Sequence, residues 1–245
     1  MNIRKGILMA TDGAFRHELK YLMSRREMDA CMSRLMQFSE SDSHASRGRY
    51  YVRSLYFDDM YMSAYEEKAS GVASRHKYRI RIYDMDESVI SLEKKIKKGS
   101  YIRKESVRLT RAEYDMIEQG ETSFLLRKDE SVARDFAVEC RICGLRPVVI
   151  VDYDRTPLVC EHGNVRITFD ENIRSVFSDL DIFRGDTPSY EVLGQDELIM
   201  EVKYTEYLPD IFHAILPDNV CLTAASKYVM CYDRKMELTR EEIFK

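Results

Sequence analysis

Apolar and polar residues alternate with a period of two over eight stretches: 15–21, 51–58, 75–83, 89–97, 102–109, 147–155, 165–170 and 197–205. Such alternation is the pattern of a β-strand with one buried face. Short connections join 75–83, 89–97 and 102–109, which predicts antiparallel neighbours, and Glu161-His162-Gly163-Asn164 reads as the turn of another hairpin. Helices fall between the strand groups. Ser24 with Glu27 predicts a capping box opening a helix to about Phe38, and Thr110 with Glu113 repeats it, with Gly120 at the stop. Further helices are expected over 129–143, over 208–215 and from Thr223 to about Met236. This order predicts an α+β fold built on one antiparallel sheet, with peripheral helices. There is no linker-like tract or repeat, and 39–49 is the one loop-like polar stretch, so residues 1–245 read as a single domain.

The polar faces are unusual. Residues two apart in a strand share a face, so Arg16, Glu18 and Lys20 stand together, as do Lys77, Arg79 and Arg81. Glu93, Lys95 and Lys97 form another such row, followed by Lys104, Ser106 and Arg108. Arg166, Thr168 and Asp170 share a face, and so do Glu201 and Lys203. A solvated sheet face carries mixed charges and hydroxyls, and for any one strand that reading suffices. Six strands repeating a cationic row with isolated glutamates call for more. Closing eight strands into a barrel gathers these rows in a narrow lumen, suited to linked phosphates. The glutamates would then offer hard oxygen ligands to Mn²⁺ or Mg²⁺.

Composition agrees with a confined anion site. The net charge is −4 over 245 residues, yet Arg75–Arg108 holds 11 Lys or Arg against five acids. The acidic whole excludes a general nucleic-acid binder. No apolar run is long enough to cross a bilayer, and the N-terminal patch is too short for an export signal. A cytoplasmic protein with free cysteines is therefore expected. Cys140, Cys143, Cys160 and His162 do not reproduce the usual zinc spacing. Phosphate-loop, dinucleotide-loop and nucleophile-elbow patterns are absent.

The ordered set FRHELKY (15–21), RSLYFDD (53–59), KYRIRIY (77–83), LEKKIKKGSYIRK (92–104), VDYDRTP (151–157), VRITFD (165–170), IMEVKY (199–204) and SKY (226–228) resembles one family. It is similar to the polyphosphate polymerase domain of the vacuolar transporter chaperone (VTC) family, a branch of the triphosphate tunnel metalloenzymes. The resemblance implies a closed antiparallel β-tunnel that binds ATP and a growing inorganic polyphosphate chain. It assigns phosphate-binding bases to Lys20, Arg79, Arg81, Lys95, Lys104, Arg155, Arg166 and Lys227, with site roles for Tyr153 and Ser226. Glu201 matches the metal-binding carboxylate, with Glu18 and Glu93 as candidate helpers; Lys97 and Lys203 share their cationic rows. Alternation with Glu93 favours Lys95 over Lys94 as the inward lysine.

Two departures stand out. Arg16 replaces the first acid of the Glu-x-Glu-x-Lys strand of tunnel hydrolases, which leans towards a polymerase, and Ala224 stands where the polymerases place a further base. The expected activity is transfer of the ATP γ-phosphoryl group to polyphosphate. The alternatives are a tunnel hydrolase and a non-catalytic polyphosphate- or nucleotide-binding module. Replacing Arg79 and Arg81 with alanine is expected to abolish anion binding while sparing the fold, by relieving like-charge repulsion.

Overall fold

The computed structural model describes residues 14–37, 39–41, 48–160, 164–215 and 220–243. Its elements run β1 (Arg16–Ser24), α1 (Arg25–Leu35), β2 (Glu40–Ser41), β3 (Tyr50–Asp58), α2 (Ser63–Ala69), β4 (Ser74–Tyr83), β5 (Asp86–Lys98) and β6 (Tyr101–Leu109). Then come α3 (Arg111–Glu118), a 3₁₀ turn (Ser123–Arg127), α4 (Ser131–Cys143), β7 (Arg146–Cys160) and β8 (Val165–Val176). The chain ends with β9 (Tyr190–Glu191), β10 (Glu197–Tyr204), α5 (Asp210–Ile215), β11 (Cys221–Leu222) and α6 (Lys227–Ile243).

Eight long strands pair antiparallel in the order β7-β3-β4-β5-β6-β1-β10-β8, and β8 pairs back onto β7. The ring is closed, and the α+β tunnel fold is as expected. Closure demands strong local twist, and the register shifts at Tyr56/Phe57 and Asp152/Asp154 supply it. The ring is uneven. β1 and β6 share only the pairs Arg16↔Ile102 and His17↔Tyr101, whereas β7 and β8 pair from Ile150 to Cys160.

Outer apolar faces pack under helices in two places. Ile80, Leu92 and Val107 meet Tyr114 of α3 and Phe136 of α4, while Phe169, Met200 and Val202 meet Cys31 of α1 and Phe212 of α5. A third core lies at one end of the barrel, where Tyr228 and Cys231 of α6 pack with Val52, Tyr56, Val151 and Ile199. Alternation with Ser54, Arg155 and Glu201 puts those apolar residues on the inner face, so α6 plugs that end.

Both capping boxes form, at Ser24/Glu27 and Thr110/Glu113. The last helix starts later than its sequence pattern suggests, at Lys227 rather than Thr223, and runs on to Ile243. The reason is tertiary: Cys221 and Leu222 pair with β1, and the Thr223 amide donates to the Lys20 carbonyl, which keeps this stretch extended. The chain reading missed α2. Asp58 accepts from the Ala64 and Tyr65 amides, and Asp59 from Tyr61 and Ser63, so the FDD end of β3 organises this helix. Of the 39–49 loop, Glu40 and Ser41 instead pair with β7. The 161–164 turn falls largely outside the described residues.

Candidate functional site: a basic tunnel

The predicted rows converge inside the ring. Three cavities of about 110, 60 and 150 Å³ adjoin and share wall residues, and Lys95 lines all three. The middle chamber brings together Lys20, Arg79, Arg81, Lys95, Tyr153, Arg155, Glu201, Lys203, Ser226 and Lys227. One mouth adds Arg16, Tyr50, Tyr83, Lys104 and Arg166, and the other adds Lys68, Arg75, Lys97 and Thr223–Ala225. The second mouth lies where the β1–β6 pairing stops, with Glu18 and Lys20 on one side and Lys95, Lys97 and Ile102 on the other.

Three ion-pair knots organise the lumen. In the first, Glu201 accepts from Lys227 and Lys203, each at 2.8 Å, with Lys20 and Arg155 at 3.7 Å. Asp170 joins it, holding Arg155 through two bonds of 2.6 and 2.7 Å and Lys227 at 2.5 Å. In the second, Glu18 accepts from Lys95 at 2.9 Å and lies 3.5 Å from Lys20. Lys20 thus stands between Glu18 and Glu201. In the third, Glu93 binds Arg79 at 2.5 Å and Lys104 at 3.1 Å. Arg81 reaches Ser54 and Tyr153, each at 3.0 Å, and Arg79 also donates to Tyr56 at 2.9 Å.

Burial and charge compete over the protonation of these groups. Burial alone would raise the Glu201 carboxyl, but Lys203, Lys227, Lys20 and Arg155 hold it well below the usual carboxylate range. Burial acts the same way on Glu93, and Arg79 and Lys104 overcome it. For Lys95, burial wins over the attraction of Glu18, and its amine falls to about 8. Lys77 is pushed well below the lysine range, first by burial and then by Lys95, Lys20 and Arg79. Its amine donates to Ser226 Oγ at 3.0 Å and lies over the rings of Tyr56 and Tyr228.

The choice between Lys94 and Lys95 follows the alternation. Lys94 points out to Asp135 and Glu139 of α4. His76 also faces outward, to Glu139, and His17 stacks on Tyr204 with the Tyr101 ring tilted against it. Several lumen residues escaped the sequence reading as site members: Asp170 and Lys77, each placed on its face but given no role, and the tyrosines Tyr50, Tyr56 and Tyr83. Asp170 was legible as the inward member of VRITFD. Only the tertiary structure brings Lys77 against Ser226.

The expectation that Arg79 and Arg81 can be removed without loss of stability needs correction. Arg79 neutralises a buried carboxylate as well as crowding Lys77 and Arg81, so its loss takes the nearest cation from Glu93 and leaves Lys104 and the more distant Arg81. The cysteines are free: Cys140 packs in the α3/α4 core and Cys160 in the α1/α5 core, and His162 lies outside the described residues.

Among the described residues no group of three or more His, Cys, Asp or Glu converges as a ready-made metal site. Glu18 and Glu201 nevertheless fit a divalent cation shared with a ligand, because magnesium-type ions are commonly held by one or two carboxylates plus phosphate oxygens. Cations hold all three carboxylates, but Glu18 and Glu201 flank the same Lys20, whereas Glu93 sits in a separate knot with Arg79 and Lys104.

A closed ring of strands around a cation-lined lumen defines a basic-tunnel protein. The chain belongs to the VTC domain family, whose model matches residues 15–235. That membership supports a tunnel that handles polyphosphate or nucleotides, in a phosphoryl-related enzyme family. Among solved structures, the PH1819 protein of Pyrococcus horikoshii OT3 is similar at 13% identity and a TM-score of 0.46, with 89% of this chain and 99% of that one covered. The PH1012 protein of the same organism is similar at 9% identity and a TM-score of 0.48, with 86% and 96% covered. No curated protein matches. Among the described residues no helix is long and apolar enough to cross a membrane.

Proposed function

We propose that this protein is an ATP-dependent polyphosphate polymerase. The observation that carries the reading is the lumen's imbalance. Among the described residues of the lumen, Lys20, Lys77, Arg79, Arg81, Lys95, Lys104, Arg155, Arg166, Lys203 and Lys227 outnumber Glu18, Glu93, Asp170 and Glu201. A surplus of positive charge in a confined lumen is costly and favours an anion there. A linear phosphate chain, charged along its whole length, matches a tunnel charged along its whole length.

In this reading an oxygen of the chain's terminal phosphate attacks the γ-phosphorus of ATP. A P–O bond forms, the bond from the γ-phosphorus to the β–γ bridging oxygen breaks, and ADP leaves with that electron pair. The attacking oxygen is already anionic, so no protein base is needed, and positioning with charge neutralisation does the catalytic work. Arg79, Arg81, Lys95 and Lys104 would cradle the phosphates, and Lys20, Arg155, Arg166 and Lys227 would close around them. Tyr153, whose ring lies under Arg155 and Lys227, and Ser226 set the wall between them. Glu201 and Glu18 would hold Mn²⁺ or Mg²⁺, which supplies charge neutralisation between adjoining phosphates. Glu93 holds Arg79 and Lys104 in place.

A second reading, a binding module without turnover, is favoured by one feature: each lumen carboxylate already has cationic partners. Purified protein with ATP and Mn²⁺, followed by a polymer gel and a free-phosphate assay, separates the readings. Polymer supports the polymerase, free phosphate alone a hydrolase, and binding without either product the module. In the polymerase, Glu201→Gln should leave tripolyphosphate binding intact or tighter while metal-dependent turnover falls at least ten-fold; identical Mn²⁺ titrations in the two proteins would remove Glu201 from the metal site.

A further inference from the structure

The two mouths differ in chemistry. At one, Tyr50 of β3 and Tyr83 of β4 lie edge to face, with ring centroids 5.6 Å apart and planes at 74°. Both rings line the cavity and both are only half-buried. The Tyr50 phenol also feels the charges of Arg155 and Arg166, so this aromatic pair borders the phosphate-binding wall. At the other mouth the described lining holds no phenyl or phenol ring. There Lys68, Arg75 and Lys97 crowd together, and burial followed by mutual repulsion lowers the affinity of both lysines for their protons.

We propose that Tyr50 and Tyr83 form a nucleobase platform, so that a nucleoside triphosphate docks with its base on this pair and its phosphates directed into the tunnel. Stacking on aromatic rings is the general means of holding a base without a specific hydrogen-bond code, and each base contributes appreciably. The opposite mouth, where Lys68, Arg75 and Lys97 crowd together without a tyrosine or phenylalanine, would accept phosphate but offers a base no comparable aromatic pair. This inference rests on the nucleotide-using reading above and adds where the nucleoside binds, with the consequence that ATP should bind more tightly than bare tripolyphosphate.

Calorimetric titration of ATP and of tripolyphosphate into wild type and Tyr50→Ala/Tyr83→Ala tests it. ATP affinity should fall about ten-fold with tripolyphosphate affinity unchanged, the second ligand serving as the control for an intact tunnel. Equal losses for both ligands, or none for ATP, would overturn the platform. A variant that does not fold leaves the decision to wild-type protein photolabelled with 8-azido-ATP and mapped by peptide mass. Label on the peptides covering 50–53 or 82–93 supports the platform, and label confined to 64–75 or 223–226 overturns it. If wild type binds tripolyphosphate but shows no preference for ATP, the platform falls and an anion tunnel stands; if it binds neither, the polymerase reading falls too.

Discussion

Arg79 shows how a lumen cation can serve fold and ligand together. Its guanidinium binds Glu93 and Tyr56 inside the barrel, and Glu93 is 1% exposed. Removing one partner of a buried pair costs about 3–5 kcal/mol, most of it the stranded charge. Arg79→Ala should therefore lower stability by about 3 kcal/mol in urea unfolding, and adding Glu93→Gln should restore a good part of it. Equal stability of Arg79→Ala and wild type would mean that Lys104 alone satisfies Glu93. Lys77 offers a second test at this scale. Burial depresses its folded-state pKa, so between that value and the ordinary lysine value the unfolded chain carries more protons. Its contribution to stability therefore grows as pH rises through that window and is a penalty below it. A polyanion favours the charged amine, so tripolyphosphate binding at a pH inside that window should take up a proton, and affinity should weaken as pH rises. Calorimetry in buffers of different ionisation enthalpy would show the uptake, and Lys77→Met should reduce it; uptake unchanged in that variant would assign the proton elsewhere.

Among the elements, the strand ring has one thin place. Two residue pairs join β1 to β6, and beyond His17 the edge of β1 turns instead to Cys221 and Leu222. Local opening follows the sparsest backbone pairing. Native-state hydrogen exchange should find the amides of residues 16–17 and 101–102 exchanging faster than those between β7 and β8. Comparable protection would show the seam held by side chains such as the Lys95–Glu18 pair. The opening matters because the second mouth lies there, and a tunnel that parts along one seam can admit a chain too long to thread.

For the whole molecule, a lumen with excess positive charge is incomplete without its anion. A ligand that binds only the folded state stabilises it by mass action, by about 2.7 kcal/mol at one hundred times its Kd. For a domain of this size that corresponds to a Tm rise of roughly 5–10 °C. Tripolyphosphate should produce it, the gain should shrink with added salt as the chloride screens the mouths, and a neutral polyol at the same concentration should not. No shift with tripolyphosphate would count against any anion tunnel.

All eight ring strands were legible in the chain because a half-buried strand must alternate, and both capping boxes because their hydrogen bonds are local. The cationic rows were legible for the same reason, since residues two apart share a face whatever the strand pairs with. Three-dimensional pairing decided the rest. Alternation cannot say which strands adjoin, so the thin β1–β6 seam and the two unlike mouths were beyond it. Nor could the chain assign partners within the lumen: Glu93 and Glu201 both look like lone acids among bases, yet one is enclosed by Arg79 and Lys104 while the other shares Lys20 with Glu18. The extended stretch before α6 reads as helix because its local pattern permits one, and pairing with β1 overrides it. What the sequence determined was each strand's inward and outward face, a property of neighbours along the chain; which charges meet inside the tunnel depends on residues far apart in sequence, and only closure of the barrel decided it.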